Sequence, residues 1–354
     1  MKFYWFQFFL VITIIGCSSE KEDKKADLIT GFPTPVTIDG DRILERETGL
    51  LYLKKIDSLL VVSTEADTLI KVYDENENFV SGFGRIGRGP NEFSSPPFIS
   101  EGIIKGDKKY IFAYNSQLNK LNVIDLNKTI KSNKIVSLKE YEFPSDLMGV
   151  SNIFYVNEDT LMGMYSDHFY KKLDGKKGGF YYFPKTKKFE TFELTNLTID
   201  PFSTIDESNL NARFPILSRD RKTFALLMRY APIFEILDVG SKSVNTFYIE
   251  SYPETYVYSL EAYRDFELTN YYDFAYSGEK YIYILYKGKP FSLEPKKSKI
   301  QVLDWDRNPI AEYIVPKEYG LSLFAVDEDK KVLYGLSYRN DAIYRFYYGD
   351  ADER

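Results

Sequence analysis

Residues 82–93 read GFGRIGRGPNEF, with four glycines and two arginines in the first eight positions and a proline next. Glycine runs of this kind cradle phosphates where their backbone N–H groups approach an anion. A P-loop also needs a Lys-Ser/Thr pair and a following helix, and a dinucleotide loop needs that helix too. No such pair follows here, and Pro90 with Ser94-Ser95-Pro96-Pro97 excludes the helix. The stretch therefore reads as a loop, with Gly82, Gly84, Gly87 and Gly89 expected to supply positive φ in successive turns. Its guanidiniums suit carboxylates, since Arg makes paired, charge-assisted hydrogen bonds. Arg85, Arg88, Asn91 and Glu92 are accordingly the candidate binding residues. The competing reading gives Arg88 a packing role at the loop junction.

Other chemistry finds little support. His168 is the single histidine and sits in the lysine-bearing stretch SDHFYKK, where a solvated side chain is expected. No nucleophile elbow accompanies it. One histidine and one cysteine do not make a zinc site. Asp39-Gly40-Asp41 and Asp304-Trp305-Asp306 lack the calcium-loop pattern and read as hairpin turns. No catalytic residue, metal ligand or cofactor site is assigned. Ten tyrosines between Tyr252 and Tyr286 are read as strand packing rather than as sugar-stacking rings.

The first sixteen residues, MKFYWFQFFLVITIIG, set a short basic start before an apolar run too short to span a membrane comfortably. The run ends at Ile14-Ile15-Gly16-Cys17 and resembles a bacterial lipobox. That resemblance implies cleavage between Gly16 and Cys17, with diacylation on the sulfur of the only cysteine. A polar stretch, SSEKEDKKAD, follows. Residues 1–16 are thus read as a lipoprotein signal peptide and 17–34 as a flexible polar tether. Ser18 after Cys17 resembles sorting to an outer membrane, and Lys21-Glu22-Asp23 resembles the acidic export tag of Bacteroidetes surface lipoproteins. Either the periplasmic side or the cell surface is consistent with this. Removing residues 1–16 takes away one lysine, Lys2, and leaves 45 basic against 52 acidic residues, a formal −7. Such a chain is a poor partner for nucleic acid.

Beyond the tether one phrase recurs: LIKVYD (69–74), LNVID (121–125), FYYFP (180–184), IFEILD (233–238), IQVLD (300–304) and IYRFYY (343–348). Between Asp74, Asp125, Pro184, Asp238, Asp304 and Tyr347 the steps are 51, 59, 54, 66 and 43 residues. Units of this length holding several short strands mark propeller blades, each a four-stranded sheet. Aromatics at 17% favour the same strand-rich class. The sixth unit has only three strands, so PVTIDGDRILE (35–45) is expected to complete it and hide two sheet edges. The predicted fold is an all-β, six-bladed propeller over residues 35–350.

The lipobox, the GRGPNEF phrase after the first unit and six diverged blades together resemble the TolB-like six-bladed propeller lipoproteins of Bacteroidetes. The resemblance spans residues 15–348 and implies fold and cell-envelope location, not activity. Long connections expected at 84–97, 166–178, 195–213, 250–269 and 287–298 all fall on one face, where binding usually resides. A short helix is expected within 258–268. The function read from this is a monomeric, non-enzymatic binding or scaffold lipoprotein, presenting that face to a protein or glycan. A carbohydrate-active enzyme, glycoside hydrolase or polysaccharide lyase, is the alternative. Cys17→Ala is expected to leave an unacylated precursor; acyl chains found on that variant by mass spectrometry would overturn the lipid assignment.

Overall fold

The structure, a computed structural model, describes residues 27–349 apart from 90, 101, 148–149, 151, 165–177, 196, 198–209, 251–266, 291–292 and 294–296. The signal peptide, Cys17, His168 and the helix expected within 258–268 lie outside the described residues.

Six antiparallel sheets form the blades of a propeller. Blade 1 spans residues 50–83, blade 2 98–142, blade 3 152–193, blade 4 213–248, blade 5 269–316 and blade 6 323–347. The inner strands are continuous apolar runs, such as TFALLM (223–228) and VLYGLS (332–337), because both faces of each blade are covered by neighbours. Outer strands are polar, as in SLKEYE (137–142), where all but Tyr141 are exposed. Separate apolar clusters fill the junctions. Val61 and Ile70 meet Ile111 between blades 1 and 2, and Tyr155 meets Phe112, stacked at 4.6 Å, between blades 2 and 3. Offset aromatic pairs of this kind add about 0.5–1.5 kcal/mol beyond burial.

Blade 6 closes as the missing fourth strand required. Gly40–Ile43 pairs antiparallel with Ala342–Tyr347, Ile43 opposite Ile343 and Gly40 opposite Phe346. Ion pairs reinforce the seam with blade 1: Lys55 to Asp327 at 2.7 Å, Lys330 to Glu75 at 2.6 Å and Arg345 to Glu77 at 2.5 Å. Asp341 also accepts the N–H groups of Gly49 and Leu50.

The rest of the N-terminal segment departs from expectation. Val36–Thr37 does not belong to blade 6 but lies parallel to Pro309–Pro316, the outer strand of blade 5. Asp27–Leu28, placed by the sequence reading in the tether, lies parallel to Val244–Tyr248 at the edge of blade 4. Two buried isoleucines explain the docking: Ile29 and Ile38 insert into the apolar clusters and donate their N–H groups to Tyr248 and Ile314. Residues 27–43 thus strap three consecutive blades. On the connection between the last two strands of blade 2, Leu126–Ser132 forms a helix. The Asp125 carboxylate caps it by accepting the Lys128 N–H, and Asn133 ends it at φ 54°.

Buried phenols bear on stability at alkaline pH. Burial pushes Tyr141, Tyr181 and Tyr334 up to about 12, and Tyr272 and Tyr283 further still. A phenol that holds its proton longer folded than unfolded stabilises the fold below the unfolded value of about 10, and that stability is withdrawn as pH climbs towards the folded value. The protein is expected to unfold cooperatively between about pH 10 and pH 12. Phenolate absorbance and circular dichroism should change together; smooth ionisation near pH 10 with an unchanged dichroism spectrum would contradict this.

Candidate functional site

The innermost strands converge on the axis and each offers one large apolar side chain there. Tyr52, Phe98, Phe154, Phe214, Phe274 and Leu323, one from each blade in turn, line an axial throat of about 300 Å³. Edge-on ring contacts knit part of it, Tyr52 to Phe98 at 5.6 Å and Phe98 to Phe154 at 6.3 Å. At the opposite end the buried Lys55–Asp327 pair flanks a separate depression of about 190 Å³.

The throat widens into a cavity of about 520 Å³, the two sharing Arg229, Asp273, Ser322 and Tyr338. This funnel opens among residues 229–232, 317–322 and 338–341, connections of the same face as the long loops read from sequence. Among the described lining residues of the wider cavity five are basic, Arg229, Lys287, Lys289, Lys317 and Arg339, and one, Asp273, is acidic, while Lys54 lines the throat.

Local backbone features aim these groups. Thr269–Ser277, the innermost strand of blade 5, shifts register twice against Tyr281–Pro290, once between Asn270 and Tyr272 and again between Tyr272 and Phe274. The second irregularity leaves Asp273 as the extra residue, and bulges of this type redirect a side chain. On the partner strand Gly288 sits at φ 62°, and a Cβ there would meet the Tyr286 Oη at 2.5 Å, so only glycine fits. Lys287 continues the face of Tyr283 and Leu285, which places its stem against the apolar junction with blade 6. Its side chain is 9% exposed, and its ammonium lies 3.6 Å from Asp273 and donates to Ser298 Oγ at 2.9 Å. Burial holds the Lys287 ammonium below its ordinary range, with Asp273 opposing that shift.

Arg229 is fixed by its own backbone. Its N–H donates to Ala212 O at 2.8 Å and its carbonyl accepts the Tyr271 N–H at 2.7 Å, so it bridges blades 4 and 5. Its guanidinium lies 5.0 Å from the Phe214 ring centre. The buried Nε has no hydrogen-bond partner among the described residues, and neither does Asn270 Oδ1, in a residue 3% exposed. Asn270 Nδ2 donates to Asp273 Oδ1. No group of three His, Cys, Asp or Glu side chains suited to a metal occurs among the described residues.

The glycine-rich loop stands apart from this funnel. Neither Arg85 nor Arg88 is among the lining residues. Arg85 pairs with Glu92 at 2.7 Å, and Glu92 also accepts the Gly89 N–H at 2.7 Å. The Gly89 N–H and then Arg85 hold the Glu92 carboxyl below its usual range. Asn91 takes φ 63°, and Phe93 is buried in the junction of blades 1 and 2. Of the four glycines only Gly84, at φ 77°, has the expected positive φ. Gly82 is in a strand, and Gly87 and Gly89 lie under the Glu92 side chain, whose Oε2 is 2.0 Å and 2.9 Å from where their Cβ atoms would lie.

The tyrosines that the described residues include behave as packing groups: Tyr272, Tyr276 and Tyr283 are each at most 2% exposed within blade junctions. Lys287 was the main residue missed. The sequence places 287–298 in a loop, whereas the strand runs to Pro290 and the next resumes at Lys297. The detectable signal was alternation, Tyr283, Leu285 and Lys287 falling on one face.

With this geometry the chain resembles solved propellers. It matches a member of the DUF4221 family from Bacteroides vulgatus with a TM-score of 0.54 and 12% identity, covering 91% of this chain and 98% of that one. A Bacteroides fragilis protein described as exported matches with a TM-score of 0.55 and 12% identity, covering 90% and 97%. At this identity the likeness is one of fold. No family model matches the chain, and no curated protein does.

Because Glu92 braces the loop from within while Arg85 is largely exposed, Glu92→Ala should lower the melting temperature more than Arg85→Gln. Calorimetric melting that ranks the two the other way would show that the arginine, not the carboxylate, holds the loop.

Proposed function

We propose that the protein is a cell-envelope lipoprotein of the TolB-like six-bladed kind, anchored through Cys17 and binding an acidic glycan or protein on its funnel-bearing face. The observation that carries this is the funnel itself: five basic residues around one acid, above an aromatic throat. A concave, low-dielectric site lined by one sign of charge concentrates ligands of the other sign. The acidic net charge of the chain makes a local basic concavity more selective, because the surrounding surface does not attract the same ligands.

The lipobox at Gly16-Cys17 and the fold shared with a Bacteroides protein described as exported support the envelope assignment. Arg85 and Arg88, on the connection between blades 1 and 2, serve in this reading as outer contacts for a partner larger than the funnel. The protein acts as a monomer and needs no cofactor. Binding is favoured over glycoside hydrolysis because hydrolysis uses a pair of carboxyl groups, and Asp273 is the single carboxylate among the described lining residues.

Residues 18–354 should be retained on immobilised acidic polysaccharides, be released by raised salt as exposed charge pairs are screened, and leave the polymer uncleaved. Equal retention on neutral polymers would overturn the electrostatic basis, and shortened chains among the eluted products would restore the enzyme reading.

A further inference from the structure

Resting on the binding reading above, we propose that the funnel contains a discrete site for a small hydroxycarboxylate, with the carboxylate on Arg229 and Lys287 and a hydroxyl on Asn270. The fold leaves two buried polar atoms without hydrogen bonds among the described residues, Arg229 Nε and Asn270 Oδ1. Buried polar groups are almost always paired, so each such atom calls for an explanation. One is a donor on a cation and the other an acceptor. A single ligand that satisfies both must present an anionic acceptor and a neutral donor.

The two are neighbours through the backbone. The Arg229 carbonyl accepts the N–H of Tyr271, the residue next to Asn270. Lys287 supplies the second cation, held in place by Ser298 Oγ at 2.9 Å and by Asp273 at 3.6 Å. A guanidinium and an ammonium together match a carboxylate better than a neutral oxygen. A simple carboxylate such as acetate, which carries no donor, is the wrong ligand on the other side. It would leave Asn270 Oδ1 unpaired and face the Asp273 carboxylate, which already accepts from Asn270 Nδ2. A hydroxyl beside the carboxylate resolves both problems, donating to Asn270 Oδ1 and separating the two negative charges.

The apolar part of the ligand is set by the rings. Phe214 lies beneath the Arg229 guanidinium, and Phe274 and Tyr338 line the passage into the throat. These faces suit either the C–H face of a sugar acid or an aryl group on a hydroxy acid. The cavity of about 520 Å³ lies within the range of small-molecule sites. Rigidity favours a real site, since Arg229 is pinned on both backbone groups and Asn270 and Lys287 are almost wholly buried.

Calorimetric titration of the mature chain with glucuronate, mandelate, glucose and acetate at low ionic strength tests the site. Glucuronate or mandelate should bind at least about tenfold more tightly than both glucose and acetate, because a site built around a hydroxyl and a charge rejects ligands lacking either. Which of the two wins identifies the sugar acid or the aryl acid as the source. Arg229→Gln and Lys287→Met should each weaken that binding at least about tenfold, while Lys128→Gln, on the exposed surface of blade 2, leaves it unchanged. Acetate or glucose binding as well as the hydroxycarboxylates would overturn the proposal, as would a folded Arg229→Gln protein with unchanged affinity. Should either variant fail to fold, the ligand ranking on the unaltered chain still decides. Retention of acidic polymers without binding of any small hydroxycarboxylate would sink this site and leave the broader binding reading standing; failure of both would sink the two together.

Discussion

Closure of the ring is the constraint on which everything else rests. Each blade is apolar on both faces, so no blade can be the last in an open row without exposing a full sheet face. The chain meets this by returning its beginning to its end: Gly40–Ile43 completes the sheet of Ala342–Tyr347. Non-local strand pairing alone is weak in so short a strand, and the seam is reinforced accordingly. Lys55–Asp327 is the most buried of its ion pairs, at 7% and 9% side-chain exposure. Removing one member of such a pair leaves the other charge buried without compensation, a loss of about 3–5 kcal/mol. Blade 4 carries a comparable pair, Arg213 with Glu235, whose remaining donors and acceptors are taken by Asn211 and Thr195.

Closure also generates the funnel. Six innermost strands converge on the axis, so their side chains meet in a ring without any loop having to position them. Blade 5 then departs from regular pairing where Asp273 and Lys287 enter the funnel. Asp273 is turned by one irregularity, Gly288 sits in the other, opposite the step from Asn270 to Tyr272, and Lys287 reaches the Leu321 carbonyl beside blade 6. Regular strands elsewhere keep apolar groups in the junctions. The irregular strand spends some ladder pairing and brings charge to the axis.

Much of the architecture was legible because each blade repeats a local pattern: apolar runs such as TFALLM between turn residues, at steps near fifty residues. The missing strand in the sixth unit was legible for the same reason, since counting strands exposed the gap. The funnel was not legible in this way. Arg229, Asp273 and Lys287 come from a turn and two strands, and no spacing along the chain connects them. Gly288 and Pro290 carry turn chemistry, so KGKP read as a loop although it continues a strand. The GRGPNEF stretch is distinctive in composition, yet of the four glycines in 82–89 two lie under Glu92 and one takes a positive φ. Short docking strands such as Asp27–Leu28 carry two residues each and have no periodicity to detect.

The strap formed by residues 27–43 has a mechanical consequence. Its first two attachments are short parallel pairs at the edges of blades 4 and 5, and only its third, in blade 6, closes the ring. A pull on the chain from its N-terminal side therefore loads Asp27–Leu28 first, then Val36–Thr37, and reaches Gly40–Ile43 last. Ile29 and Ile38 act as successive catches that must leave their apolar pockets before the load passes on. Force is dissipated by peeling small fasteners in series while the seam between the first and last blades stays shut.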